Sequence, residues 1–144
     1  MNKANRKIIF DKYAGKCAYC GCELQKGWHV DHLEPCRRIV STEMVEQPEG
    51  IYPRYKWVDK VVGYSNPDAN HIDNYMPSCP SCNINKHGDS LEQFRALIAG
   101  FKNHLNEINT QYKISKRYGL VIEVDKPVVF YFETLNPPPS VAKG

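Results

Sequence analysis

The sequence predicts a small α+β protein with cysteine pairs at both ends of its central part. Three observations carry that reading: two Cys-x-x-Cys pairs about sixty residues apart, an apolar stripe at helical spacing after Ser90, and two β-rich runs near the C-terminus. At 144 residues the chain suits one domain with a modest core, so 1–144 is read as a single domain. Charged residues at 24% and hydrophobic residues at 42% indicate a globular chain rather than a disordered one. A net charge of +3 permits a polyanionic partner without arguing for one. The basic N-terminal stretch lacks the apolar centre of a signal peptide, and no later run approaches a membrane span. A soluble, intracellular, cytoplasmic protein with no membrane partner is therefore expected. In that reducing setting six cysteines point to metal or free thiols rather than disulfides.

Residues 4–14 place Ile8, Ile9 and Tyr13 on one side of a short helix that Gly15 ends. "CAYCGCEL" is a turn-rich segment. "WHVDHL" reads as a strand with His29 and Asp31 on one face and Val30 and His32 on the other. Residues 37–73, with Pro48, Pro53 and Pro67, form a long excursion with room for one short strand at "YKWVDKVVGY". At Ser90, "SLEQ" has the form of a capping box, reinforced by Asp89. Leu91, Phe94, Ile98, Phe101, Leu105 and Ile108 then make one face of a long helix, read as core packing. A further helix spans 110–118, with Gly119 at its end. "GLVIEV", "DKP" and "VVFYFE" read as two strands around a tight turn, so that 90–134 holds a helix and a terminal hairpin. From about 135, "NPPPSVAKG" is a loose tail.

The cysteines supply the first chemistry. Cys17 and Cys20 in "CAYC", and Cys79 and Cys82 in "CPSC", are two knuckles. Two intervening residues let both thiolates of a knuckle face one ion, and two knuckles complete a closed tetrahedral shell, the signature of structural zinc. Such an ion closes the long loop between the pairs. Cys22 and Cys36 are spare, and Cys22 is close enough to Cys20 to compete with it. Between and beside the knuckles lie Asp31, a hard carboxylate donor, and Asn83, an amide oxygen donor; both suit Mg²⁺ or Mn²⁺. His32 is suited to accepting a proton near neutrality. Asp31, Asn83 and His32 are expected to face one cavity, a sufficient set for phosphodiester hydrolysis.

The ordered set Cys-x-x-Cys, "VDHLEP" and "IDNYMPSCPSCNINK" resembles the HNH endonucleases over residues 14–95. The resemblance implies a core of two strands and a helix around a metal (ββα-metal), stabilised here by zinc and flanked by helices. It implies that Asp31 binds the catalytic ion, that His32 is the general base, and that Asn74 orients the loop carrying that base. It assigns Asn83 as the metal ligand contributed by the helix, and Lys86 as the lysine that commonly follows it. Two departures stand out: asparagine at 83 where many members carry histidine, and the length of 37–73. His29 and His87 are read as local polar contacts rather than added ligands.

DNA, double-stranded by preference, is the expected partner. Arg37, Arg38 and Lys86 are candidate phosphate contacts, together with Arg54 and Lys56 among Tyr52, Tyr55 and Trp57. Lys3, Arg6 and Lys7 add a non-specific term. The resemblance implies products with 5′-phosphate and 3′-hydroxyl ends. One such site cuts one strand per encounter, and cutting both needs two events or a homodimer. The rival readings are a zinc-stabilised nucleic-acid-binding module without catalysis, and a structural domain presenting 37–73 to a protein partner.

Overall fold

The fold is mixed α+β, with four helices and two separate antiparallel strand pairs. The computed structural model describes residues 1–135; the expected tail lies outside the described residues but for Leu135. Helix α1, Lys3–Asp11, starts where the Asn2 side chain accepts the Asn5 N–H, an N-cap that satisfies one orphan donor. It buries Ile9 and leaves Ile8 exposed. Gly15 closes the turn after it at φ +74°, and a Cβ there would lie 2.8 Å from the Phe10 ring, so both backbone and space demand glycine.

Strand β1, His29–His32, does not pair with its neighbour in sequence. Its partner is β4, Tyr75–Ser78, in antiparallel register with Asp31 opposite Met76 and His32 opposite Tyr75. Helix α2, Pro80–Lys86, follows β4 directly. Cys79 is its N-cap and Pro80 its first residue, a position where the missing proline N–H costs nothing. The first knuckle docks on the same strand, the Ala18 N–H bonding the Pro77 carbonyl.

Between β1 and β4 the chain runs out into a hairpin of β2, Arg38–Glu46, and β3, Tyr55–Tyr64. The expected strand at 55–64 is present, and it pairs with a further strand at 38–46. Both strands are exposed along nearly all their length, with Met44, Trp57 and Val62 all more than half exposed. No buried face exists to impose the alternation by which strands are read. Arg37 anchors the hairpin's base, donating to the Gly88 carbonyl at 2.6 Å and pairing with Asp89.

Helix α3, Leu91–Ile108, begins with the full capping box of Ser90 and Gln93. Phe94 of its stripe is buried, but Phe101 and Ile108 are exposed, correcting the expectation of a uniformly packed face. Eighteen residues rise about 27 Å, more than this small core covers. Helix α4, Thr110–Arg117, follows, and Gly119 ends it at φ +72°. No helix among the described residues is long and apolar enough to cross a membrane.

The expected C-terminal hairpin is absent among the described residues. Residues 120–130 instead form a strap lying back along α3. Glu123 bonds the Asn106 amide, Asp125 pairs with Lys102, and the Val128 carbonyl accepts from Arg95. Five residues of extended strap thus cover the rise of eleven helical residues, about 16 Å by either measure. The β-branched run has the composition of a ladder strand, but one ion pair and two hydrogen bonds from side chains of α3 hold it and leave Ile122 and Val124 exposed. The expected second strand ends in a 3₁₀ turn, Tyr131–Thr134. The Tyr131 and Phe132 N–H groups bond the knuckle carbonyls of Tyr19 and Ala18. This seats Phe130 and Phe132 in the core with Tyr13, Tyr19, Leu33, Met76 and Phe94. Phe130 stacks on Phe94 at 5.5 Å, and Tyr19 meets Phe94 edge to face.

Candidate functional site

Cys17, Cys20, Cys79 and Cys82 converge, their sulfurs all within 4.8 Å of one another. A tetrahedral ion about 2.3 Å from each sulfur spaces them by about 3.8 Å, and Cys20 Sγ lies 3.8 Å from Cys79 Sγ. The four can hold a structural metal such as zinc. Backbone geometry prepares the cluster: the Cys17 N–H bonds the Cys22 carbonyl, and the Cys79 N–H points at Cys17 Sγ at 3.3 Å. A hydrogen bond from the Cys82 thiol, helped by nearby backbone N–H groups, holds the Cys17 thiol down to about 4. The Cys82 thiol shifts upward as the partner that keeps the proton. A cation entering such a cluster takes the place of the shared protons. Cys22 and Cys36 are outside the four.

Asp31 is buried at 8% exposure, and its Oδ2 accepts a hydrogen bond from Tyr19 Oη at 2.5 Å and forms an ion pair with Lys86 Nζ at 3.0 Å. Burial, and then the Asp31 carboxylate, push the Tyr19 phenol well above its ordinary value, so it stays a donor. Oδ1 takes no hydrogen bond from the described residues. Lys86 is fully buried and also donates to the His32 carbonyl at 2.7 Å. The expected phosphate contact at Lys86 is therefore corrected: an ammonium sealed between Asp31 and the His32 backbone joins α2 to β1.

Asn74 is buried at 3% exposure. Its Oδ1 accepts the Glu34 N–H at 2.8 Å, and its Nδ2 donates to the carbonyls of Glu34 and Ala69. The Asn74 carbonyl accepts the Leu33 N–H. The chain leaving His32 is thus held by one asparagine. On the N-terminal side, Lys12 of the turn after α1 donates to the Asp73 carbonyl at 2.8 Å, and burial lowers the affinity of its amine for a proton.

Consecutive residues of a strand point to opposite faces. Asp31 accordingly faces Tyr19 and Lys86, while the His32 ring lies on the other side, against Asn70 and Tyr75. The pocket at His32 is lined by Met1, Asn5, Val30, Asn70 and Tyr75, and contains neither Asp31 nor Asn83. One shared cavity was expected; the two residues instead flank the end of β1. Asn83 stands three residues before Lys86 on α2, on the side of the helix that Lys86 turns to Asp31, and its amide takes no hydrogen bond among the described residues. His29 is exposed on the Asp31 face of β1, and His87 caps α2 at positive φ.

Set against models of protein families, against curated proteins and against solved structures, the chain matches none. Its chemistry is read from its own residues.

Of the basic residues named from the sequence, Arg38 is exposed at the base of the hairpin, Arg37 is engaged with Gly88 and Asp89, and Arg54 pairs with Glu46 and lies over Tyr55. A tighter basic–aromatic surface lies on α1. Arg6 sits 4.1 Å over the Trp28 ring, and Lys3, Lys7 and Phe10 line the same hollow. Asn5 of the same helix lines the His32 pocket. Asn70 and Tyr75 were not singled out from the sequence; their contact with His32 depends on β1–β4 pairing across more than forty residues, which no local pattern announces.

Proposed function

We propose that this chain is an HNH-type endonuclease that hydrolyses DNA phosphodiester bonds with a divalent cation. The observation that carries the reading is the bracketing of one dipeptide. Lys86 and Asn74, both buried, hold the backbone of His32 and Glu34, while Asp31 Oδ1 takes no hydrogen bond among the described residues and the His32 imidazole opens on its own pocket. Buried polar side chains devoted to placing one carboxylate and one imidazole suit a site that needs preorganisation.

Two oxygen donors suit a hard cation. Asp31 Oδ1 and the Asn83 amide oxygen take no hydrogen bond among the described residues, and an ion such as Mg²⁺ binds through one or two carboxylates, substrate phosphate and water. Bound there, Mg²⁺ or Mn²⁺ supplies charge neutralisation at the phosphate and at the departing oxygen. His32 accepts a proton from the attacking water. In-line displacement puts nucleophile and leaving group on opposite sides of phosphorus, so a base and a carboxylate on opposite faces of β1 suit a phosphate lying across the strand's end. The cations of α1 flank the His32 pocket and suit the neighbouring phosphates.

Supercoiled plasmid incubated with Mg²⁺ or Mn²⁺ tests the reading. Wild type nicks or linearises it, and His32→Ala lowers the rate by about 10²-fold or more while still binding DNA. Wild type that binds without cutting supports the zinc-stabilised binding module instead. Equal cutting by His32→Ala removes His32 as the base.

A further inference from the structure

Among the described residues the His32 imidazole has one polar side-chain partner. Its Nε2 lies 3.2 Å from Asn70 Oδ1, and the same oxygen accepts Tyr75 Oη at 2.7 Å. The shorter distance is that of an O–H···O bond, with the phenol as donor and the amide oxygen as acceptor. An amide oxygen carries no hydrogen, so a ring nitrogen bonded to it must carry one. Tyr75 also meets the His32 ring edge to face, with centroids 5.0 Å apart.

We infer that Asn70 is a positioning residue for His32, fixing the imidazole as its Nε2–H tautomer and leaving Nδ1 as the nitrogen with a free lone pair. Tyr75 keeps the amide in the orientation that does this, because turning the amide over would cost its hydroxyl the acceptor. The tautomer of a histidine is set by the partner of its other nitrogen. Here that partner comes from a 3₁₀ turn, Pro67–Ala69, and the residue that ends it. The long excursion between the strands thereby contributes to the site. The catalytic consequence rests on the nuclease reading: Nδ1 takes the proton of the attacking water. The tautomer itself does not.

The test has two arms for that reason. In the first, ¹⁵N-histidine protein without added divalent cation is examined by long-range ¹H–¹⁵N correlation at a pH where the ring is neutral, with His32 assigned by its loss in His32→Gln. Wild type is expected to give limiting shifts, pyrrole-like at Nε2 and pyridine-like at Nδ1. Asn70→Ala and Tyr75→Phe are expected to give the averaged shifts of a freely exchanging ring, and Asn70→Asp, which keeps the acceptor, to restore the limiting ones. Asn70 is exposed, so its variants leave the core untouched. Averaged shifts in wild type, a proton on Nδ1, or Asn70→Ala identical to wild type would overturn the inference whether or not the protein cuts DNA. In the second arm, plasmid cleavage by Asn70→Ala is expected to fall about tenfold in kcat, a fraction of the full general-base effect, with KM unchanged. Rescue by Asn70→Asp is expected. A loss confined to KM overturns the positioning role. An inactive wild type with the expected shifts sinks the nuclease reading and leaves the tautomer assignment standing.

Discussion

Lys86 Nζ lies 3.0 Å from Asp31 Oδ2, and the two side chains retain only 1% and 9% of their exposure. The pair joins the helix after the second knuckle to the strand before the hairpin, and Tyr19 and the His32 carbonyl add one hydrogen bond to each partner. A buried ion pair of this kind contributes little against an apolar substitute, but losing one partner leaves a bare charge in the core. Lys86→Met is therefore expected to cost about 3–5 kcal/mol. The measurement is the urea midpoint at unchanged m. Adding Asp31→Asn should recover part of the loss, and a Lys86→Met protein as stable as wild type would show that the pair is not buried.

The four converging sulfurs predict one tightly held metal ion per chain. Metal analysis after exhaustive dialysis should find about one zinc, with a binding free energy on the order of 10 kcal/mol coupled to folding. Cys82→Ser should lose it and melt at lower temperature. Cys22→Ser should retain it, since Cys22 is outside the cluster. Chelation of wild type should mimic Cys82→Ser.

The strap over α3 predicts a dependence on acid. Glu123 is held down to about 2, first by the Asn106 amide and then by Lys116, with Tyr112 adding a third donor. A carboxyl lowered in the folded state contributes stability that is complete above its ordinary value, and this is lost as pH falls through the folded one. The difference in urea midpoint between wild type and Glu123→Gln should thus be constant above about pH 5 and shrink steadily toward pH 2. A difference that grows on acidification would contradict the ion pairing.

DNA binding should show where phosphate is met. If Lys3 and Lys7 on α1 each neutralise one phosphate, Lys3→Ala/Lys7→Ala should reduce the slope of log K against log salt by about 2. Lys86→Met should leave that slope unchanged, because Lys86 is sealed in the core. Fluorescence polarisation of a labelled duplex over a salt series measures both.

The features open to sequence reading were those that neighbours along the chain determine. Cys17 with Cys20, and Cys79 with Cys82, announce a metal cluster because two-residue spacing is enough to aim both sulfurs. The start of α3 at Ser90 is a local exchange of hydrogen bonds, and the end of α4 at Gly119 is a local backbone angle. The remaining features depended on partners distant in sequence. The run after Gly119 has the residues of a strand but lies as a strap, because Arg95, Lys102 and Asn106 offered side-chain partners and no strand offered a ladder. β2 had no buried face to give it a readable period. Lys86 looked like a surface lysine until β1 came down over α2 with a carboxylate facing it. Asn70 met His32 only because β1 and β4 pair across the intervening hairpin. Spacing, caps and turns act over a few residues and can be written into a short stretch of chain, whereas burial and pairing depend on which distant surfaces meet, and only folding brings those together.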